Sequence, residues 1–193
     1  MFSAASATLS LFLAMSTTPF PSCIFDRRTA GRFGPIAAAV ISAVALLAFA
    51  GCGGSSKVQR LTGPGFTFSA PNGWQVLRSS TKVTAQSGTV DLVSVHTYRL
   101  TKTYTPDLYV ASGRELGRTV TQLAKQLKGV VAHAHTVTVA ATDSHSYRID
   151  YGAMSEELTF VFRDRTEFEL VCRFPKGTTS SACTELLTSF TLV

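Results

Sequence analysis

The C-terminal half of the chain alternates apolar and polar positions with little interruption. Tyr147, Ile149 and Tyr151 share one side of a period-two pattern, as do Leu158, Phe160 and Phe162, and again Phe168, Leu170, Cys172 and Phe174. Arg148, Asp150, Thr159, Glu167, Glu169 and Arg173 take the intervening positions. Side chains of an extended chain point alternately to its two sides, so strands are predicted over 130–140, 145–151, 157–162 and 167–174. Arg163-Asp164-Arg165-Thr166 reads as a hairpin turn between the last two. Earlier, Gly65-Phe66-Thr67-Phe68-Ser69-Ala70 alternates and Pro71-Asn72-Gly73 reads as a turn. Further strands are predicted over 74–77, 82–86 and 90–100, the last mostly apolar or β-branched as a central strand would be. An antiparallel sheet with one dry and one more polar face is the simplest arrangement.

Between the two blocks the period becomes helical. Leu116, Val120, Leu123 and Leu127 recur at i, i+4, i+7 and i+11, a single stripe for packing on a sheet. Thr105 is placed to cap this helix, Pro106 suits its first turn, Asp107 suits the positive end of its dipole, and Gly129 closes it. Gly113 and Gly117 weaken its middle. A second, shorter helix is expected over 179–189, capped by Ser180 or Ser181, with Ala182, Leu186, Leu187 and Phe190 apolar. Strands, helix, strands, helix make an α+β domain over 65–193: an antiparallel β-sheet flanked by helices, in an α/β/α sandwich.

The N-terminal pattern is of another kind. Residues 34–51 read GPIAAAVISAVALLAFAG without a charge; Arg27, Arg28 and Arg32 precede them and Cys52-Gly53-Gly54-Ser55-Ser56 follows. A basic region, an apolar stretch shorter than the ~20 residues of a membrane span, and small residues at its end make a secretory signal of 1–51. Residues 1–25 lie ahead of the basic cluster and fit a start codon placed too early. Ala50-Gly51-Cys52 resembles the bacterial lipobox, with Phe49 where Leu is usual. It implies lipid on Cys52, 52–64 as a flexible tether, and a domain held at the outer, extracytoplasmic face of the cell membrane. An uncleaved signal anchor is the alternative.

Composition then reads differently. The chain has 193 residues, a net charge of +6 and a mean hydropathy of +0.20. The apolar excess is concentrated in the signal; three of the eighteen basic residues and one of the twelve acidic ones precede Cys52, leaving +4. Val, Leu and Phe are too plentiful for disorder. After Arg32 no two basic residues are adjacent, so there is no stripe for nucleic acid.

Cys23 leaves with the signal and Cys52 takes lipid, so Cys172 and Cys183 remain as one pair in an oxidising compartment, where a disulfide is expected. Two buried thiols are the alternative. Their spacing is not that of a CxxC redox motif. His133 and His135 share one side of a strand, and His145 would approach from the next; three imidazoles suit Zn²⁺ or Cu²⁺. Catalytic patterns are missing. There is no G-x-S-x-G, Glu156 and Glu157 would point to opposite faces, and Asp143-Ser144-His145 is contiguous where triad members come from separate segments. No phosphate-binding or dinucleotide-binding glycine motif occurs, so no cofactor is expected. Trp74, after its turn, is the aromatic expected to be partly exposed.

The run Gly65-Phe66-Thr67-Phe68-Ser69-Ala70-Pro71-Asn72-Gly73-Trp74 resembles the G-aromatic-x-F-x-x-P-x-G-W opening of PsbP-like domains. Phe168-Glu169-Leu170-Val171-Cys172, followed by Leu186-Leu187-Thr188-Ser189-Phe190-Thr191-Leu192, is similar to that family's last strand and SF-x-L exit. The lipobox-plus-domain layout is like that of LpqN-type actinobacterial lipoproteins. The resemblance covers 65–193 and implies a noncatalytic accessory or binding module, with no catalytic residues to carry over. The expected function is a lipid-anchored binding module of the cell envelope whose partner is an envelope protein, a glycan or a lipid. A metal- or small-ligand-binding protein using His133, His135 and His145 is the alternative.

Overall fold

The computed structural model describes residues 57–193. The expected signal of 1–51 and the expected lipid site at Cys52 lie outside the described residues. Three strands, β1 (Val58–Gly63), β2 (Phe66–Pro71) and β3 (Gln75–Arg78), open the domain, and β4 (Lys82–Ser87) and β5 (Asp91–Arg99) follow. Helix α1 (Tyr109–Gln126) leads into four ten-residue strands: β6 (Val130–Val139), β7 (Thr142–Tyr151), β8 (Met154–Arg163) and β9 (Thr166–Pro175). Helix α2 (Ser181–Ser189) and β10 (Thr191–Leu192) close the chain. The main sheet is antiparallel in the order β3-β4-β5-β9-β8-β7-β6, and β1-β2-β10 form a separate small sheet.

Pairing register decides which face each side chain serves, because partners across a pair of strands lie on the same side. Val83 faces Val95, Val95 faces Leu170, Val93 faces Cys172, and Val161 faces Phe168. This face packs on the small sheet and α2, where the Phe66 ring contacts those of Phe68, Phe168 and Phe190, each with centroids 6.1 Å away. Leu158 pairs with both Tyr147 and Val171 on the opposite face, where Val120 and Ala124 of α1 join Ile149, Phe160 and Phe162. The expected contrast of one dry and one polar face is therefore corrected. Both faces carry an apolar core, and the Phe168 and Leu158 sets look in opposite directions. Alternation within a strand shows which residues share a side, but register shows which side that is.

The expected tether of 52–64 is also corrected. Val58–Gly63 pairs along its whole length with Phe66–Pro71, and Leu61 is buried in the core. VQRLTG contains too few large apolar residues to announce a strand; its partner β2 supplies the hydrogen bonds that make it one. The domain boundary moves from Gly65 back to Val58.

Helix α1 begins later than Thr105. Pro106–Leu108 form one 3₁₀ turn, and the Thr105 side chain makes no capping bond. At the other end Lys128, not a glycine, takes the left-handed conformation (φ 55°). Its N–H donates to the Lys125 carbonyl at 3.1 Å and that of Gly129 donates to the Ala124 carbonyl at 2.8 Å, a Schellman closure. Gly129 is required by space instead: a Cβ there would sit 2.5 Å from the Asp150 carbonyl oxygen. Ser180 caps α2 by accepting from the Cys183 N–H at 3.4 Å.

Candidate functional site

The three histidines do not converge. His133 and His135 lie on β6 with ring centroids 4.6 Å apart, in register with Arg148 and Ser146. His145 pairs with Thr136, one residue along from His135, and so projects from the other face. A one-residue offset reverses the side chain's direction, which defeats the three-imidazole arrangement. The cross-strand neighbour of His133 is moreover a guanidinium, which repels a cation. Among the described residues no three His, Cys, Asp or Glu side chains gather into a metal site. His145 instead fastens α1 to the sheet: its Nε2 donates to the Tyr109 carbonyl at 2.9 Å and its ring stacks on that of Tyr109 at 3.9 Å. Beside it the Tyr147 hydroxyl donates to the Gly113 carbonyl at 2.9 Å.

Cys172 and Cys183 form a disulfide with Cα atoms 5.5 Å apart. It ties the first turn of α2 to β9 near the middle of the main sheet, and both residues are buried.

An open cleft of about 350 Å³ lies where the chain leaves β9 and turns into α2. Trp74, delivered by the turn between β2 and β3, forms its apolar wall with Phe174 and Pro175. Asp91 at the start of β5, and Thr179 and Ser181 at the entry to α2, supply polar groups. The Asp91 carboxylate, the Trp74 indole N–H and the two hydroxyls engage no partner among the described residues. No lining residue is cationic. Of these residues only Trp74 stood out in the sequence. The pre-helix run Thr178-Thr179-Ser180-Ser181 is the other available signal, while Asp91 joins the site only through the fold.

The face under α1 carries a second polar arrangement. Glu167 pairs across the sheet with Tyr98 and Phe162, and Glu169 with His96 and Phe160. The Tyr98 hydroxyl donates to Glu169 Oε2 at 3.0 Å. Burial pushes the Glu169 carboxyl above its ordinary range, against the opposing hydrogen bond from Tyr98. Burial likewise raises the Tyr98 phenol, helped by the Glu169 charge, and lowers the His96 imidazole, helped by the Lys82 charge. Burial, with the charges of Glu169 and Glu115 behind it, pushes the Glu167 carboxyl from 4.5 up to about 7. The folded protein therefore holds a proton at Glu167 that the unfolded chain releases near 4.5. The stability this neutral carboxyl provides is complete at low pH and is lost as pH climbs through about 7. Glu167→Gln, permanently neutral, is expected to raise unfolding free energy at pH 8 by on the order of 1–2 kcal/mol and to change it little at pH 4. Urea melts at the two pH values check this; an equal effect at both would refute it.

No family model and no curated protein sequence matches this chain. Among solved structures it is similar to the solution structure of cyanobacterial PsbP (CyanoP) from Synechocystis sp. PCC 6803, with a TM-score of 0.54 and 17% identity over 75% of this chain and 99% of that one. It is also similar to a crystal structure from Bacteroides thetaiotaomicron VPI-5482, with a TM-score of 0.51 and 14% identity over 71% of this chain. That match spans 49% of the Bacteroides chain, about half its length. The class is thus α+β, antiparallel sheets with two helices. Within that class, the described domain has a PsbP-like fold.

Proposed function

We propose that this protein is a noncatalytic binding module of the cell envelope, held to the outer face of the membrane by lipid on Cys52. The observation that carries the reading is the buried Cys172–Cys183 disulfide, a bond that persists in oxidising, extracytoplasmic compartments. The Ala50-Gly51-Cys52 sequence ahead of the domain supplies the anchor, and its combination with a PsbP-like fold is the LpqN-like layout. With β1 starting at Val58, residues 53–57 reach at most roughly 18 Å, which keeps the domain close to the bilayer. Among the described residues no helix is long and apolar enough to cross a membrane. The cleft beside Trp74 offers one carboxylate and several hydroxyls as hydrogen-bonding groups, a set suited to recognition. The partner on this reading is an envelope protein, glycan or lipid, with neither nucleic acid nor cofactor involved.

Metabolic labelling with a palmitate analogue in a bacterial host tests the anchor. The wild-type chain is expected to take up label and sediment with membranes. Cys52→Ala is expected to lose the label; undiminished labelling of that variant would overturn the reading.

A further inference from the structure

We infer that the Trp74 cleft is a binding site for a neutral saccharide of one or two sugar rings. The inference deepens the binding-module reading and rests on it. Ligand sites run from roughly 300 to 1,000 Å³ and combine apolar surface with convergent polar groups; this cleft, at the lower end of that range, sets Pro71, Trp74 and Pro175 against a carboxylate and a run of hydroxyls. Three features select the ligand's chemistry.

The first is an aromatic wall with a polar handle. Trp74 is half-buried, so one part of its indole packs on the core while the rest remains available to a ligand. An indole beside prolyl surface matches the flat C–H face of a pyranose ring, and its N–H is a free donor for a ring hydroxyl.

The second is the set of hydrogen-bonding groups left unengaged. Asp91 presents an acceptor-only carboxylate with two oxygens, suited to two neighbouring hydroxyls of one ring. Thr179 and Ser181 can donate or accept, as sugar hydroxyls can. Neighbouring hydroxyls are already committed: Ser180 Oγ accepts from Cys183 N–H, and Thr178 donates to the Pro175 carbonyl. Those two bonds hold the loop that offers Thr179 and Ser181.

The third is charge. With one carboxylate and no lysine or arginine in the lining, the cleft repels phosphates and carboxylates. Its hydroxyls and free indole N–H give a cation no further negative partner beyond Asp91. A neutral, hydroxyl-rich ring with one apolar face satisfies all three features together.

Trp74 is the chain's only tryptophan, so intrinsic fluorescence reports on this cleft alone. The experiment titrates the full chain, held in a detergent without sugar headgroups, with glucose, galactose, mannose, arabinose and maltose, and separately with inorganic phosphate. At least one sugar is expected to change Trp74 emission saturably below roughly 100 mM, weaker than which a site has little binding energy. Asp91→Asn is expected to weaken that binding by about tenfold, the loss of a charge-assisted hydrogen bond. Thr179→Ala is expected to weaken it less, and both variants keep the wild-type melting temperature because neither side chain has an internal partner. No saturable response to any sugar would overturn the inference, as would a response to phosphate alone or sugar binding unchanged by Asp91→Asn. Palmitate labelling is independent of this readout. A labelled protein that ignores sugars defeats the saccharide site and leaves the anchor standing, while an unlabelled one that binds sugar does the reverse.

Discussion

Replacing Cys172 and Cys183 together by alanine is expected to lower the free energy of unfolding by about 3 kcal/mol and the melting temperature by about 10 °C. The two residues are 11 apart in sequence, and closing a loop of that length in the unfolded chain removes this much conformational freedom. The loss should concentrate at the C-terminal end of the domain. Helix α2 has only nine residues, too few to persist alone, and stays on the sheet through Ala182, Cys183, Leu186 and the Phe190 ring that follows it. Equilibrium denaturation of the oxidised wild type and the double variant measures the difference. Thiol labelling in denaturant without reductant, with the labelled residues mapped, gives the complementary check: label on Cys172 and Cys183 would mean the bond does not form. The same variant bears on the cleft, because the disulfide holds the turn of α2 on which Ser181 stands. Weaker sugar binding in the double variant is therefore expected alongside its lower stability.

The second large effect concerns Gly113, within α1. On a free helix surface Gly→Ala would add about 1 kcal/mol of stability. Here the added Cβ would lie 2.4 Å from the His145 ring, which is held by its bond to the Tyr109 carbonyl and its stacking on Tyr109. Gly113→Ala is therefore expected to destabilise the domain by about 1–3 kcal/mol, since either the ring or the helix must give way. His145→Ala alone also costs stability by removing the fastening. In the double variant the clash is gone and the helical preference of alanine returns. The two changes should thus be non-additive by about 1–2 kcal/mol, the double variant being more stable than their sum. A stabilising Gly113→Ala would refute the close approach. The glycine that looks like a weak point in the helical pattern is the residue that lets the helix lie against β7.

Much of the fold is legible in the chain. Alternation marks β7, β8 and β9 because each sets a row of large side chains into one of the two cores, and the i, i+4, i+7 stripe marks α1 because Val120 and its neighbours face the sheet. The Cys172–Cys183 pairing follows from counting, since these are the two cysteines of the sequence that follow Cys52. Local patterns are weakest where an element depends on a partner. Strand β1 has little apolar content of its own, and β2 reads like a strand of the main sheet although it pairs with β1 and β10 in the small one. The cleft illustrates the same limit. Trp74 and Asp91 are separated in sequence by a whole hairpin, and Thr179 and Ser181 lie far beyond, so their meeting cannot be read from spacing.

By itself the sequence determined the α+β class, the position of most elements, the uncharged apolar run ahead of Cys52 and the pair of cysteines available to bridge. All of these rest on local properties: side-chain periodicity, apolar run length and residue count. Only the tertiary structure decided that both faces of the sheet carry an apolar core, that His145 turns away from His133 and His135, that Glu167 and Glu169 are half-buried on the α1 face, and that Trp74, Asp91, Thr179 and Ser181 share a cleft. Those outcomes rest on register and on layer packing, where a shift of one residue moves a side chain to the opposite face of the sheet, and no periodicity along a single strand records that choice.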